Sequence, residues 1–205
     1  MVWYDLTKGP WVFTIPDMED RFYNMPMLSA YNEVFHVAGT RSTGQKTQTY
    51  VLTGPEWTGE VPDSLVHVKS PTALVWILGR VYCAGTEEDY AKLHALQDKF
   101  LSVPLSSFGQ PYTPPTGNVD TSIDMKTGVR DLVNHMPLEE FFSYMAELIK
   151  TNPPKPEDAE LITRMAEIGI VPGQDFDRSK LPELGKKADP KIALIEMLMV
   201  MKEKE

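Results

Sequence analysis

The residues of this chain best suited to chemistry are aromatic and cationic: Arg21, Tyr23, Tyr31, Arg41, Trp57, Trp76 and Arg80, with His36 lying among them in sequence. A guanidinium presents a planar fork that matches a carboxylate or phosphate, and a tyrosine offers both a hydroxyl and a ring face. Placed inside a sandwich of strands, such a set suits a small polar or anionic molecule. Arg21, Tyr23, Tyr31, His36, Arg41, Trp57 and Arg80 are therefore the candidate ligand-binding residues. A structural role competes with this one, in which Arg41 and Arg80 pair with Asp5, Asp17 or backbone carbonyls and hold strand ends together. A third reading adds His36 or His67 as a base to an Arg/Tyr pair and gives a hydrolase or lyase of a small polar substrate. No residue is assigned as catalytic.

Other constellations fall short of a motif. His36, His67, His94 and His135 show no H-x-x-x-H spacing and there is a single cysteine, so no metal site is expected. No cofactor motif is present either. The run Gly39-Thr40-Arg41-Ser42-Thr43-Gly44-Gln45-Lys46-Thr47 resembles a phosphate loop, but Gln45 separates the second glycine from Lys46 and a strand follows where a helix is needed. It predicts a glycine-flanked hairpin loop. No G-x-S-x-G elbow occurs, and the serines, histidines and aspartates are too scattered to nominate a triad.

Charge narrows the partners. A net charge of -9 over 205 residues, without clustered Lys or Arg, argues against nucleic acid, whose phosphates demand a basic surface. No apolar run approaches the roughly 20 residues that span a bilayer, and Met1-Val2-Trp3-Tyr4-Asp5 lacks the basic start of a signal peptide, so the chain is expected to be soluble. Its abrupt aromatic start is read as that of a piece of a longer protein. Cys83 permits no intrachain disulfide and is expected to be an inert buried thiol, compatible with either a reducing or an oxidising compartment.

The elements that must position these residues begin with Ser70–Gly85. Ala73-Leu74-Val75-Trp76-Ile77-Leu78 is apolar throughout and bounded by Pro71 and Gly79, which predicts a strand buried on both faces. Arg80 follows at once and is expected to need a carboxylate, carbonyls or a ligand for its charge. Five earlier strands are predicted at Trp11–Ile15, Arg21–Leu28, Tyr31–Val37, Gln48–Leu52 and Leu65–Lys69, separated by Gly and Pro turns. From Thr86, a capping residue before Glu87, Glu88 and Asp89, the period changes to that of a helix with Tyr90, Leu93, Leu96, Gln97 and Phe100 on one stripe. Residues 104–122 read as a long loop pinned by Phe108 and Tyr112. Helices follow from Leu138 to Lys150 and from Pro156 to Gly169, with an irregular stretch over 170–185 and a last helix from Pro190. The expectation is an α+β chain: an antiparallel β-sandwich, jelly-roll or Ig-like, with its following helix over 1–103, a loop over 104–122 and a helical carboxyl-terminal region over 123–205. Lys191–Met201, apolar nearly all round, is expected to bury Leu194, Ile195, Leu198 and Met201 against a second copy in a homo-oligomer.

Ordered short motifs also carry a resemblance. Tyr4-Asp5-Leu6-Thr7-Lys8-Gly9-Pro10, Ile15-Pro16-Asp17, Arg21-Phe22-Tyr23, Gly39-Thr40-Arg41-Ser42-Thr43-Gly44, Gly54-Pro55-Glu56-Trp57-Thr58-Gly59, Ser70-Pro71-Thr72 and Leu78-Gly79-Arg80 resemble the bacterial domain of unknown function 1254. Pro156–Ala159 through Gly169–Gly173 is similar to the helical connector that follows that domain. The resemblance implies a β-sandwich module joined through helices to a second β module, the domain of unknown function 1214; that module and the family's preceding helices and first strand are expected to be missing from this sequence. It implies no agreed activity. The functional expectation is a module of a larger two-module protein that binds a small polar or anionic ligand or serves assembly, with the hydrolase or lyase as the alternative.

Overall fold

The short apolar stretches of the first hundred residues find partners for their backbone groups in two sheets. The structure is a computed structural model that describes residues 1–181. Its first unit, up to Pro115, contains β1 (Val2–Asp5), β2 (Trp11–Ile15), β3 (Tyr23–Ser29), β4 (Val34–Gly39), β5 (Gln48–Thr53), β6 (Val66–Lys69), β7 (Leu74–Ile77), β8 (Arg80–Val81), the helix α1 (Glu87–Gln97) and β9 (Leu101–Pro104). One sheet runs β1-β7-β3-β4, with β8 also on β3, and the other runs β6-β5-β2-β9. The α+β sandwich is found as expected. Within it β6 joins β5 in parallel, while the other pairings are antiparallel. β1, β8 and β9 were not among the predicted strands; each is short and takes its place from a neighbour's ladder.

The inner faces supply one core. Tyr4, Met25, Met27, Val75 and Ile77 from the first sheet meet Phe13, Ile15, Tyr50 and Leu52 from the second, with Met18, Tyr23 and Leu96 filling around them. A hydrogen bond of 2.8 Å between the Tyr4 hydroxyl and Ser102 Oγ spans the two sheets, and burial pushes the Tyr4 phenol up to about 12. Outside the second sheet Val12, Val51 and Val103 are covered by Val61, Leu65, Leu105 and Tyr112, so Tyr112 pins its loop while Phe108 stays exposed.

The apolar run 73–78 alternates in burial. Val75 and Ile77 are fully buried, whereas Leu74, Trp76 and Leu78 on the opposite face are half-buried, with Trp76 stacked on exposed Trp3 at 5.2 Å. The expectation of burial on both faces fails because nothing in this unit lies over that outer face as α1 and the second sheet lie over the inner one. Arg80 is exposed, with no acid hydrogen-bonded to its guanidinium among the described residues. Water solvates it, and no partner is required. Cys83, expected to be buried, is half-buried.

The sequence at Thr86 does what its chemistry dictates. Thr86 is extended and accepts from the Asp89 N–H at 3.2 Å, three acids sit in the first turn of α1, and Leu93 and Leu96 turn inward. The second unit holds α2 (Val129–His135), α3 (Leu138–Thr151) and α4 (Ala159–Glu167). Leu138, Phe142, Ala146, Ile170, Phe176 and Leu181 form its core. Gly169 ends the α4 segment at φ +91°, where an added Cβ would also overlap the Asp177 carbonyl. No helix among the described residues is long and apolar enough to cross a membrane. The expected helix from Pro190 lies outside the described residues.

The two faces of β7 are separable by substitution. Ile77→Ala is expected to cost about 2–5 kcal/mol, as buried Ile truncations do, and Leu74→Ala clearly less. Chemical denaturation of the two variants checks this, and equal losses would contradict the one-sided burial.

Candidate binding site

The seven candidate residues do not gather at one point. Arg21, half-buried just before β3, grips Asp89 of α1 through Nη2–Oδ1 at 2.7 Å and Nη1–Oδ2 at 3.2 Å and donates to the Tyr82 carbonyl at 2.7 Å. That grip, with the Ala84 N–H donating at 2.7 Å, holds the Asp89 carboxyl well below the usual carboxylate range. Arg21 thus clasps the helix start to the sheet. Tyr23 is buried, its hydroxyl donating to the Gly44 carbonyl at 2.8 Å and accepting from Gln48 Nε2 at 3.2 Å. Arg41 lies over the Phe22 ring at 5.8 Å. Asp5 and Asp17, the alternative partners for Arg41 and Arg80, are taken by Lys8 and Lys46. Tyr31 is exposed in the turn before β4.

The histidines separate as well. His36 faces inward from β4 opposite Met27, edge-on to the Tyr50 ring at 5.3 Å, and its Nε2 is buried with no hydrogen-bond partner among the described residues. Burial holds its pKa down. His67 is exposed on β6 beside Trp57 and shares a 2.9 Å hydrogen bond with Thr53 Oγ1. Among the described residues no group of three or more His, Cys, Asp and Glu is placed to hold a metal ion.

The loop 39–44 has a structural account. The Gly39 carbonyl accepts from the N–H groups of Ser42, Thr43 and Gly44 at 3.1, 2.9 and 3.1 Å. Those are the donors that a phosphate cradle would need free. The run is a closed hairpin loop.

A cavity of about 730 Å³ opens at one end of the sandwich. Phe13, Met25, Ile77, Leu93 and Phe100 make its apolar wall, and Phe13 and Phe100 stack at 6.1 Å. Met1, Val2, Gly79, Arg80, Val81 and Gln97 complete the lining. Of the seven candidates it includes Arg80 alone. Met25 sits in the space a side chain at 79 would fill: an added Cβ would overlap the Met25 Sδ. Sequence reasoning passed over Phe13, Met25, Leu93 and Phe100 because each reads as ordinary core; the signal available was Gly79, a glycine inside an apolar run.

Residues 1–104 match the family described as a protein of unknown function (DUF1254). The chain belongs to this family. A crystal structure of the VPA0106 protein from Vibrio parahaemolyticus is similar in fold, with a TM-score of 0.70 at 20% identity over 99% of this chain. The chain spans about half the length of that protein, 48%. No curated protein matches. In this DUF1254 member several of the quoted motifs are turns tied by their own side chains. Ser70 Oγ accepts from the Thr72 N–H and donates to the Thr72 carbonyl, and Thr72 Oγ1 accepts from Ala30 N–H and donates to the Leu74 carbonyl.

The unpartnered imidazole has a pH signature. A folded-state pKa below the ordinary value near 6.5 means that the unfolded chain binds more protons, so stability is full above about pH 6.5 and falls as pH drops below it. His36→Leu is expected to flatten the urea-midpoint profile between pH 7.5 and 5.5. An unchanged profile would remove His36 as its source.

Proposed function

We propose that this chain is the binding module of a larger two-module protein, and that it works by holding a guest in the cavity at the end of the sandwich. The observation that carries the reading is the lining: an apolar wall of Phe13, Met25, Ile77, Leu93 and Phe100 with Arg80 and Gln97 at the rim. Its volume lies within the roughly 300–1,000 Å³ range of small-molecule sites. A guest with an apolar body and a polar or anionic end fits that division. The hydrolase or lyase alternative needs a base beside the arginine, and neither His36 nor His67 lines this cavity. Module limits of 1–103 and 123–205, with 104–122 between them, belong to the same proposal.

Anilinonaphthalene sulfonate, an apolar anion, tests the cavity directly. Saturable fluorescence enhancement at one site is expected, with at least tenfold weaker binding to Gln97→Trp, a substitution at an exposed rim position. At 100 times its Kd the dye should stabilise the protein by about 2.7 kcal/mol, read as a rise in Tm. No saturable binding, or equal binding by the variant, would defeat the reading.

Assembly through Lys191–Met201 is a separate proposal that rests on sequence pattern alone. A homo-oligomer dissociated by Leu198→Glu is expected in light scattering. A monomer at micromolar concentration, unchanged by the substitution, would remove it.

A further inference from the structure

β4 is held to the first sheet on one side. It ends the strand order, so β3 is its one neighbour in that sheet among the described residues. On β3 the Tyr23 carbonyl accepts from the Thr40 N–H at 3.1 Å, while the Pro26 carbonyl turns the other way to the Leu78 N–H at 3.2 Å. By the two-residue period the rungs to β4 therefore fall at Met25, opposite Ala38, and at Met27, opposite His36. Beyond His36 the register shifts between Met27 and Leu28 and leaves Phe35 without an opposite residue. His36 thus stands at the last regular rung.

The other side of β4 is tied to its own loop. Ser42 Oγ donates to the Val37 carbonyl at 2.9 Å, Thr43 Oγ1 accepts from the Gly39 N–H at 3.1 Å, and the Gly39 carbonyl gathers the N–H groups of Ser42, Thr43 and Gly44. Strand and loop are therefore one hydrogen-bonded piece over 34–44. Its share of the core is small. Phe35 and His36 are half-buried and the buried Ala38 has little surface, whereas the strands beneath contribute Met27, Tyr50 and Leu52, all buried.

This small face carries a group that responds to protons. Met27 of β3 and Tyr50 of β5 face the His36 ring, and its Nε2 is buried with no partner among the described residues. Tyr50 is the titratable group of the two; burial raises its pKa, so it stays a neutral phenol, and its hydroxyl donates to Gln48 Oε1. Gln48 Nε2 is committed to the Tyr23 hydroxyl and to the Thr43 and Gly44 carbonyls. Burial alone lowers the His36 pKa, with no charged group of the described residues acting on it. An imidazolium in this place has no carboxylate to pair with, and a buried unpaired charge is costly. The ring reaches water by leaving with its strand.

We infer that residues 34–44 form a flap that acid opens. With a neutral His36 the flap lies closed on Met27 and Tyr50. Protonation releases strand and loop together and uncovers those two side chains, while β1, β7 and β3 and the second sheet keep their pairings. No residue of β4 lines the cavity, so the flap is a device separate from the guest site.

Between pH 7.5 and 5.5 the open-to-closed ratio should rise about tenfold, the change set by an imidazole of ordinary pKa near 6.5 in the open form and a neutral one in the closed form. Hydrogen exchange followed by mass spectrometry, corrected for the intrinsic pH dependence of exchange, reads that ratio segment by segment. Protection of 34–44 is expected to fall by about that factor, with β2 and β5 unchanged and with no fall in His36→Leu. If that variant fails to fold, NMR of the His36 ring in the unaltered protein supplies the comparison, since ring protonation and loss of flap protection should advance together. Equal protection of 34–44 at the two pH values, an equal fall in β2 and β5, or the same fall in His36→Leu overturns the inference. A ring that protonates while the flap stays protected overturns it too.

Discussion

The ladder that Leu74–Val81 shares with its two neighbours is the constraint on which the first unit depends. This stretch is the strand between β1 and β3, so one register decides which side chains of three strands face inward. A shift by one residue would turn Val75 and Ile77 outward and bring Trp76 and Leu78 against Phe13 and Tyr50. Pro26 interrupts the ladder because it has no N–H to give back to Leu78, and the assigned strand breaks into β7 and β8 opposite it. The register continues across the break. Met25 then lies opposite Gly79 and occupies the space that a side chain there would fill, at the wall of the cavity.

The cations are spent in different ways, and the difference follows from their neighbours. Arg21 meets Asp89 in a two-pronged pair that also collects the Tyr82 carbonyl, a geometry that joins the start of α1 to the sheet. Arg41 has an aromatic face instead of an acid. Arg80 stands exposed at the cavity rim. Three arginines within sixty residues, which look equivalent in a sequence, are a clasp, a surface cation–π contact and a rim group.

The small polar residues of the turns carry more of the fold than their size suggests. Gly39 gathers three N–H groups on one carbonyl, and Ser70 and Thr72 close their turn through reciprocal side-chain and backbone hydrogen bonds. Buried turns of this kind must satisfy their own backbone groups. Ser70 and Thr72 are themselves buried, and their hydroxyls do so. That is a physical reason for the family resemblance to be most visible at turns: the strands between them need only be apolar at alternate positions, whereas a turn needs particular donors and acceptors at particular atoms.

What the sequence determined by itself was local. The switch of period at Thr86, its capping chemistry and the Gly and Pro punctuation of the early strands depend on near neighbours, and they fixed a sandwich followed by helices. The six strands with clear apolar runs were legible for the same reason. Tertiary structure decided the rest, since it depends on residues far apart in the chain. β1, β8 and β9 exist because a neighbour's ladder was open to them, and the two faces of 73–78 differ because α1 and the second sheet cover one of them. The cavity was illegible for a related reason: Phe13, Met25, Leu93 and Phe100 come from β2, β3, α1 and the turn after α1, each reads as core, and only their packing leaves a space between them.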